Sequence, residues 1–352
     1  MLPLFSHAAK VKNVILLIGD GMGLSQVSTA FYFGEGEQSN FKRFPIVGLI
    51  NTSSSKQKVT DSAAGATAFA CGKRSYNGAI SVAEDGSDIE TLIEAIQYKK
   101  IKTGVVATSS ITHATPACFY AHAKYRKLEE DIAVDLVSSD VNFFAAGGLQ
   151  FFTKRTDGKN MYTQLEKAGF FMDSTALPNA ELDIEKNYGY LLADKGMPSK
   201  LNGRADFLPE ATKAALDYLS QSKKGFFLMV EGSQIDWEGH AKNSQGIIEE
   251  VKDFDKTIGV ALDFAEEDGK TLVIVTADHE TGGYALTPQM KEGKPNYAEI
   301  EPTFYEGAQN LRSASHTATL IPVFAYGPKS DRFAGIYNNT AIFHKIRAAA
   351  KW

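Results

Sequence analysis

The chain has 352 residues, 43 % hydrophobic and 22 % charged, with a formal net charge of −5. That length fits one large α/β domain or two ordinary ones. The mild acidity argues against a nucleic-acid-binding role, which needs a basic stripe, and no apolar run is long enough to span a bilayer.

The N-terminal stretch MLPLFSHAAK is too short, and too poor in basic residues at its start, for a signal peptide. The first strand is expected in VILLIGDG (14–21), an unbroken apolar run. Similar runs follow in TGVVATSS (103–110), GFFLMVEG (225–232), TLVIVTADHE (271–280) and LIPVFAYG (320–327). None alternates apolar with polar, so both faces of each are buried, as in parallel strands covered by helices. Helical patterns lie between them. One covers 87–100, with Ser87 or Asp88 as its cap; one covers 209–224 and opens on a proline; one covers 244–270 and runs to a glycine stop. The alternation predicts an α/β fold, a doubly wound, largely parallel central sheet flanked by helices. Residues 151–205 are polar and mixed, and are expected to decorate the sheet. Residues 285–315, with their prolines and tyrosines, are expected as a crown-like insertion over one edge. The only cysteines, Cys71 and Cys118, lie outside any CxxC spacing and are expected as buried thiols.

The ends of these strands carry the chemistry. The first ends in Asp20, and the second leads through SSITHATP to His113 and Thr115. The third ends in Glu231 and is followed by SQIDWEGH, with Asp236 and His240 four residues apart on one face of a helix. The fourth runs into Asp278-His279. Ligands of open α/β sheets bind outside the carboxyl ends of the strands, so these groups are expected to converge. One aspartate at a strand end is ordinarily a helix cap, and a lone histidine is ordinarily a hydrogen-bonded one. Four strand ends all bearing carboxylates or imidazoles are hard to explain by capping. GDGMG (19–23) lacks the GxGxxG spacing of a dinucleotide loop, and its glycines are read as letting backbone pass close to a metal at Asp20. In VTDSAAGATAF (59–69) Ser62 is followed by very small side chains; taken alone, the stretch reads as a plain capped helix.

Together GDGMG, TDSAAGATA, HATPA, VEGSQIDWEGHA, TADHETGG and SHTATLIPVFAYG resemble, in order, the motifs of the alkaline phosphatase family, in its compact bacterial form. The resemblance runs from about Lys12 to the C-terminus and is weak over 151–205. It implies a phosphate monoester hydrolase that works through a phosphoserine on Ser62, releasing inorganic phosphate. It implies two zinc ions and one magnesium ion per chain. Asp236, His240 and His316 match ligands of the first zinc, and Asp20, Asp278 and His279 those of the second. Asp20, Thr115 and Glu231 match ligands of the magnesium, and Arg126 the phosphate clamp. Where the best-known enteric version has Asp and Lys beside the third metal, this chain has His113 and Trp237. The resemblance also implies a homodimer, export to the periplasm or beyond with a leader removed, and small phosphomonoesters as substrates. Rival readings are a phosphodiesterase, sulfatase or phosphoglycerate mutase of the same superfamily, or a metal-stabilised protein without turnover. AAGA after Ser62 differs from the C/S-x-P-x-R context that sulfatases need.

Overall fold

The computed structural model describes residues 10–34, 38–305 and 315–352. Most of the N-terminal stretch and residues 306–314 of the expected insertion lie outside the described residues. The strands are β1 (Asn13–Gly19), β2 (Ile46–Asn51), β3 (Lys102–Ser110), β4 (Phe143–Gly147), β5 (Phe170–Asp173), β6 (Asn187–Leu191), β7 (Phe226–Gly232), β8 (Thr271–Thr276), β9 (Glu280–Thr281), β10 (Tyr284–Lys291), β11 (Lys294–Phe304), β12 (His316–Thr317), β13 (Ile321–Tyr326) and β14 (Gly335–Asn338).

Ten of them form one sheet, in the order β14-β2-β13-β8-β1-β7-β3-β4-β6-β5. The central strands β8, β1, β7, β3 and β4 pair in parallel and are buried on both faces, as their unbroken apolar runs require. The run at 320–327 departs from expectation. As β13 it pairs antiparallel with both β2 and β8. It is nonetheless buried along its whole length, so its apolar pattern reports covered faces and not strand direction. Residues 151–205 supply β5 and β6, which extend the far edge of the sheet. Residues 284–304 form a separate antiparallel ribbon of β10 and β11, exposed towards its tip.

The helices follow their caps. The pattern at 87–100 yields a helix only over Leu92–Gln97, and neither Ser87 nor Asp88 caps it. Thr91 and Glu94 form a capping box there, while Asp88 bridges to Val82. The next begins at Phe207, leaving Pro209 in the first turn, where a missing N–H costs no helical bond. The long helix Ser244–Asp268 starts on the Asn243 side chain and stops at left-handed Gly269.

Candidate active site

Four of the central parallel strands hand their chains to the same rim. Asp20 follows β1, Glu231 lies near the end of β7, and Asp278-His279 follow β8. His113 and Thr115 lie just past β3, and the helix Gln234–His240 after β7 carries Asp236 and His240. His316 arrives on β12, paired to Thr281 of β9.

Ser62 is the first residue of the helix Ser62–Cys71. Asp61, not Ser62, is the cap: its Oδ1 accepts from Ala64 N at 3.0 Å. The serine hydroxyl is thus left out of the capping role. Every residue of this helix is buried, and the small side chains have a direct cause. A Cβ on Gly65 would lie 2.9 Å from Asp278 Cβ. The helix therefore presses its backbone against the strand end that carries Asp278 and His279. Gly21 serves the same purpose in GDGMG. Its φ is +70°, and a Cβ there would meet Thr281 Oγ1 at 2.7 Å and Asp236 at 2.9 Å.

The Ser62 hydroxyl lies 3.3 Å from His279 Nε2 and 3.5 Å from Asp20 Oδ1. His279 Nε2 is also 3.5 Å from Asp20 and 3.3 Å from Asp278 Oδ2. Thr281 donates to Asp236 Oδ1 at 2.5 Å, so its oxygen receives the proton of His279 Nδ1 at 3.2 Å. That fixes the tautomer: His279 Nε2 is a lone pair facing two carboxylate oxygens. His316 behaves alike, since its Nδ1 donates to the Thr60 carbonyl at 2.9 Å. Its Nε2 lone pair points at His240 Nε2, 3.1 Å away, and at Asp236 Oδ1, 3.5 Å away. His240 Nε2 is 3.3 Å from the same Asp236 oxygen. The Nε2 lone pairs of His279 and His316 face carboxylate oxygens, an arrangement that is repulsive unless a cation sits between them.

Burial sharpens this. Asp20, Glu231, Asp278 and His279 are all fully buried. Burial, and next the charge of Asp278, push the Asp20 carboxyl well above its ordinary range. Burial raises Asp278 and lifts Glu231 to about 7. It holds His279 well below the usual imidazole value, with His316 adding to the effect. Asp20 Oδ2, His113 Nδ1, Thr115 Oγ1, Glu231 Oε1 and Asp278 Oδ2 are buried without a hydrogen-bond partner. Such orphans are rare in a finished interior, and oxygen and imidazole donors in this number suit divalent cations. Three groupings bring donor atoms within 4.8 Å of one another: Asp236 with His279 and His316; Asp20 with Asp278 and His279; Asp20 with His113 and Glu231. The residues present thus fit metal binding. Cys71 and Cys118 are free and buried, and take no part in these groupings.

Arg126 brings the positive charge. Its Nη1 pairs with Asp61 Oδ2 at 3.0 Å and its Nη2 lies 3.2 Å from His113 Nε2. Ser62, Arg126, Asp236, His240 and His316 line one cleft of about 380 Å³. The Trp237 ring meets the His113 ring edge-on at 5.8 Å. All the residues singled out from sequence therefore gather at one rim. Several supporting residues were not. Thr281 and the Thr60 carbonyl orient the imidazoles, Asp61 holds Arg126, and Ser109 and Ser233 donate to Glu231 Oε2 at 3.0 and 2.5 Å. Thr281 and Asp61 sit inside recognised motifs, which was the only signal available for them.

A buried serine hydroxyl, a guanidinium and a rim of carboxylates and imidazoles fit the class of metal-dependent hydrolases of anionic esters. Comparison with known proteins gives the family. The alkaline phosphatase family model matches residues 11–303. Alkaline phosphatase 3 of Bacillus subtilis is 35 % identical over 97 % of this chain and 90 % of its own. The Escherichia coli alkaline phosphatase is 32 % identical over 96 % of this chain and 86 % of its own. The solved alkaline phosphatase of the Antarctic bacterium TAB5 superposes with a TM-score of 0.92 at 52 % identity, covering 98 % of this chain and 99 % of the other. Variants of that enzyme with a histidine changed to aspartate or glutamate have Mg bound in the M3 site. The chain belongs to the alkaline phosphatase family, and its activity is phosphate monoester hydrolysis.

Proposed function

We propose that this hydrolysis runs through a phosphoserine on Ser62, in a site for two zinc ions and one magnesium ion within a single domain. The observation that carries the reading is the Ser62 hydroxyl 3.3 Å from His279 Nε2 and 3.5 Å from Asp20 Oδ1, where the buried donor groups of the site converge. Asp236, His240 and His316 would hold the first zinc; Asp20, Asp278 and His279 the second; Asp20, Thr115 and Glu231 the magnesium. Bound there, the cations would lower the pKa of the serine hydroxyl and neutralise charge on both apical oxygens of an in-line displacement.

The chain's own residues do the rest. Arg126 offers a fork of donors to two phosphate oxygens, and its pairing with Asp61 holds it in the cleft that Ser62 also lines. Apart from the Ala64 N–H, which the Asp61 cap takes, the first N–H groups of the helix beginning at Ser62 are available to a phosphate at its positive dipole end. Ser62 Oγ bonds to phosphorus as the bond to the ester oxygen breaks, and the alcohol leaves. Water then attacks the phosphoserine from the vacated side, freeing phosphate and restoring the hydroxyl. Turnover of a chromogenic phosphate monoester is expected to exceed that of the matched diester and sulfate ester by orders of magnitude. A preference for the diester would overturn the reading.

His113 and Trp237 tune the third site. His113 lies beside Asp20 and Glu231; burial with Arg126 holds its ring down to about 3, that is, neutral, and because Nε2 accepts from Arg126 Nη2 its proton sits on the unpartnered Nδ1. Aspartate there would add negative charge, which suits magnesium better than imidazole does. The TAB5 variants with Mg bound support this direction. His113→Asp with Trp237→Lys is expected to raise magnesium content and magnesium dependence of the rate. Unchanged values of both would make these residues scaffold. Export to the periplasm or beyond and a homodimer are further expectations that the family resemblance carries. No helix among the described residues is long and apolar enough to cross a membrane.

A further inference from the structure

The opposite end of the sheet carries an unexplained concentration of charge. A cleft of about 940 Å³ opens at the amino ends of the central strands; eight of its lining residues are lysines, and none of the other lining side chains is acidic. The topology assembles it. Lys10 and Lys12 precede β1, Lys99 and Lys100 precede β3, Lys223 and Lys224 precede β7, and Lys270 precedes β8. Lys351 closes the cleft, next to Trp352. In a chain of net charge −5 this is a strong local reversal.

The lysines are not neutralised. None forms an ion pair with a described residue; Lys99 donates instead to the Lys351 carbonyl at 3.0 Å. Asp268, near Lys270 in sequence, spends one oxygen on Asn13, Thr271 and the Lys270 N–H. Helix dipoles explain only part of the pattern. Four helices end nearby, and a cation near each carboxyl end is favourable. That account asks for one charge per helix end. It leaves Lys10 and Lys12, which follow no described helix, and the adjacent pairs Lys99-Lys100 and Lys223-Lys224, which repel one another. A concave wall of one sign focuses potential and concentrates anions. Tyr98, exposed beside the lysines, adds a flat aromatic face.

We propose that this basal cleft binds a linear chain of phosphates, a polyphosphate or a single-stranded phosphodiester polymer. A groove suits a chain, whereas a flat bilayer would reach only its rim. The β1 strand separates the cleft from Ser62 by about 20 Å at roughly 3.3 Å per residue. The bound polymer therefore leaves the active site open and holds the enzyme among phosphorylated material.

The test uses the full chain in a Ser62→Ala background, so that the probe is not consumed. Fluorescent long-chain inorganic polyphosphate and oligothymidylate are titrated at several salt concentrations. The comparison protein adds Lys100→Gln, Lys223→Gln, Lys224→Gln and Lys270→Gln, all at exposed positions. The parent is expected to bind both probes with a steep salt dependence. The four substitutions should weaken binding at least about tenfold and flatten the log-log salt slope by roughly 3, at about 0.7 per phosphate neutralised. With Ser62 present, they should leave monoester turnover unchanged. Equal affinity for both probes assigns recognition to phosphate alone; tighter oligothymidylate binding adds base stacking on Tyr98, and either upholds the proposal. Unaltered binding by the lysine variant overturns it. So does binding to phosphatidylserine vesicles with none to either polymer, which would assign the face to a membrane.

Discussion

Replacing Ser62 by alanine is expected to lower kcat at least about 10³-fold and to remove the covalent phosphoenzyme altogether. The substitution deletes one oxygen and little else. Asp61 remains the helix cap, so the helix Ser62–Cys71 keeps its start. The imidazoles are oriented by Thr281 and Thr60, neither of which depends on the serine. Bound metal should therefore be retained, and residual activity would come from water attacking directly in a site that still stabilises the transition state. Rapid-quench labelling with radioactive monoester reads the intermediate. A normal burst of protein-bound phosphate in the variant would exclude Ser62 as the nucleophile.

Exhaustive chelation is the second large effect. Removing divalent ions is expected to abolish monoester turnover, and zinc with magnesium together to restore it. The apo protein should also be less stable, because Asp20, Asp278 and Glu231 then face one another in a buried space that raises all three pKa values. The sign of an Asp20→Asn substitution follows. Asp20 belongs to two of the three donor groupings. In metal-loaded protein the change should lower stability and activity, since a ligand is weakened. In stripped protein it should raise the melting temperature, since a repelling carboxylate is gone. Measuring Tm of both proteins with and without metal checks the inversion. Activity indifferent to chelation, or an Asp20→Asn effect of the same sign in both states, would contradict the metal reading.

The site was legible because its groups sit at strand ends. Asp20, Asp278 and His279 follow unbroken apolar runs, and Asp236 and His240 share a helix face, so chain position alone pointed to one rim. Arg126 and His316 had no such marker and entered through the family resemblance. Thr281 and Asp61 went unassigned because their importance lies in whom they touch, 45 and 65 residues away. The sheet was legible in its parallel centre. The direction of β13 was not, since a covered strand reads as apolar whichever way it runs. The start of the helix at Leu92 was misplaced because Ser87 and Asp88 offered cap chemistry, while tertiary pairing of 88 with 82 took that segment into a bridge.

The central claim is that divalent cations sit against the Ser62 hydroxyl. Anomalous diffraction at the zinc edge, from crystals of the active protein, tests it most directly. The account predicts two strong peaks flanking Ser62 Oγ, one among Asp236, His240 and His316 and one among Asp20, Asp278 and His279. Fully active crystals with no anomalous peak within coordination distance of that oxygen would contradict it.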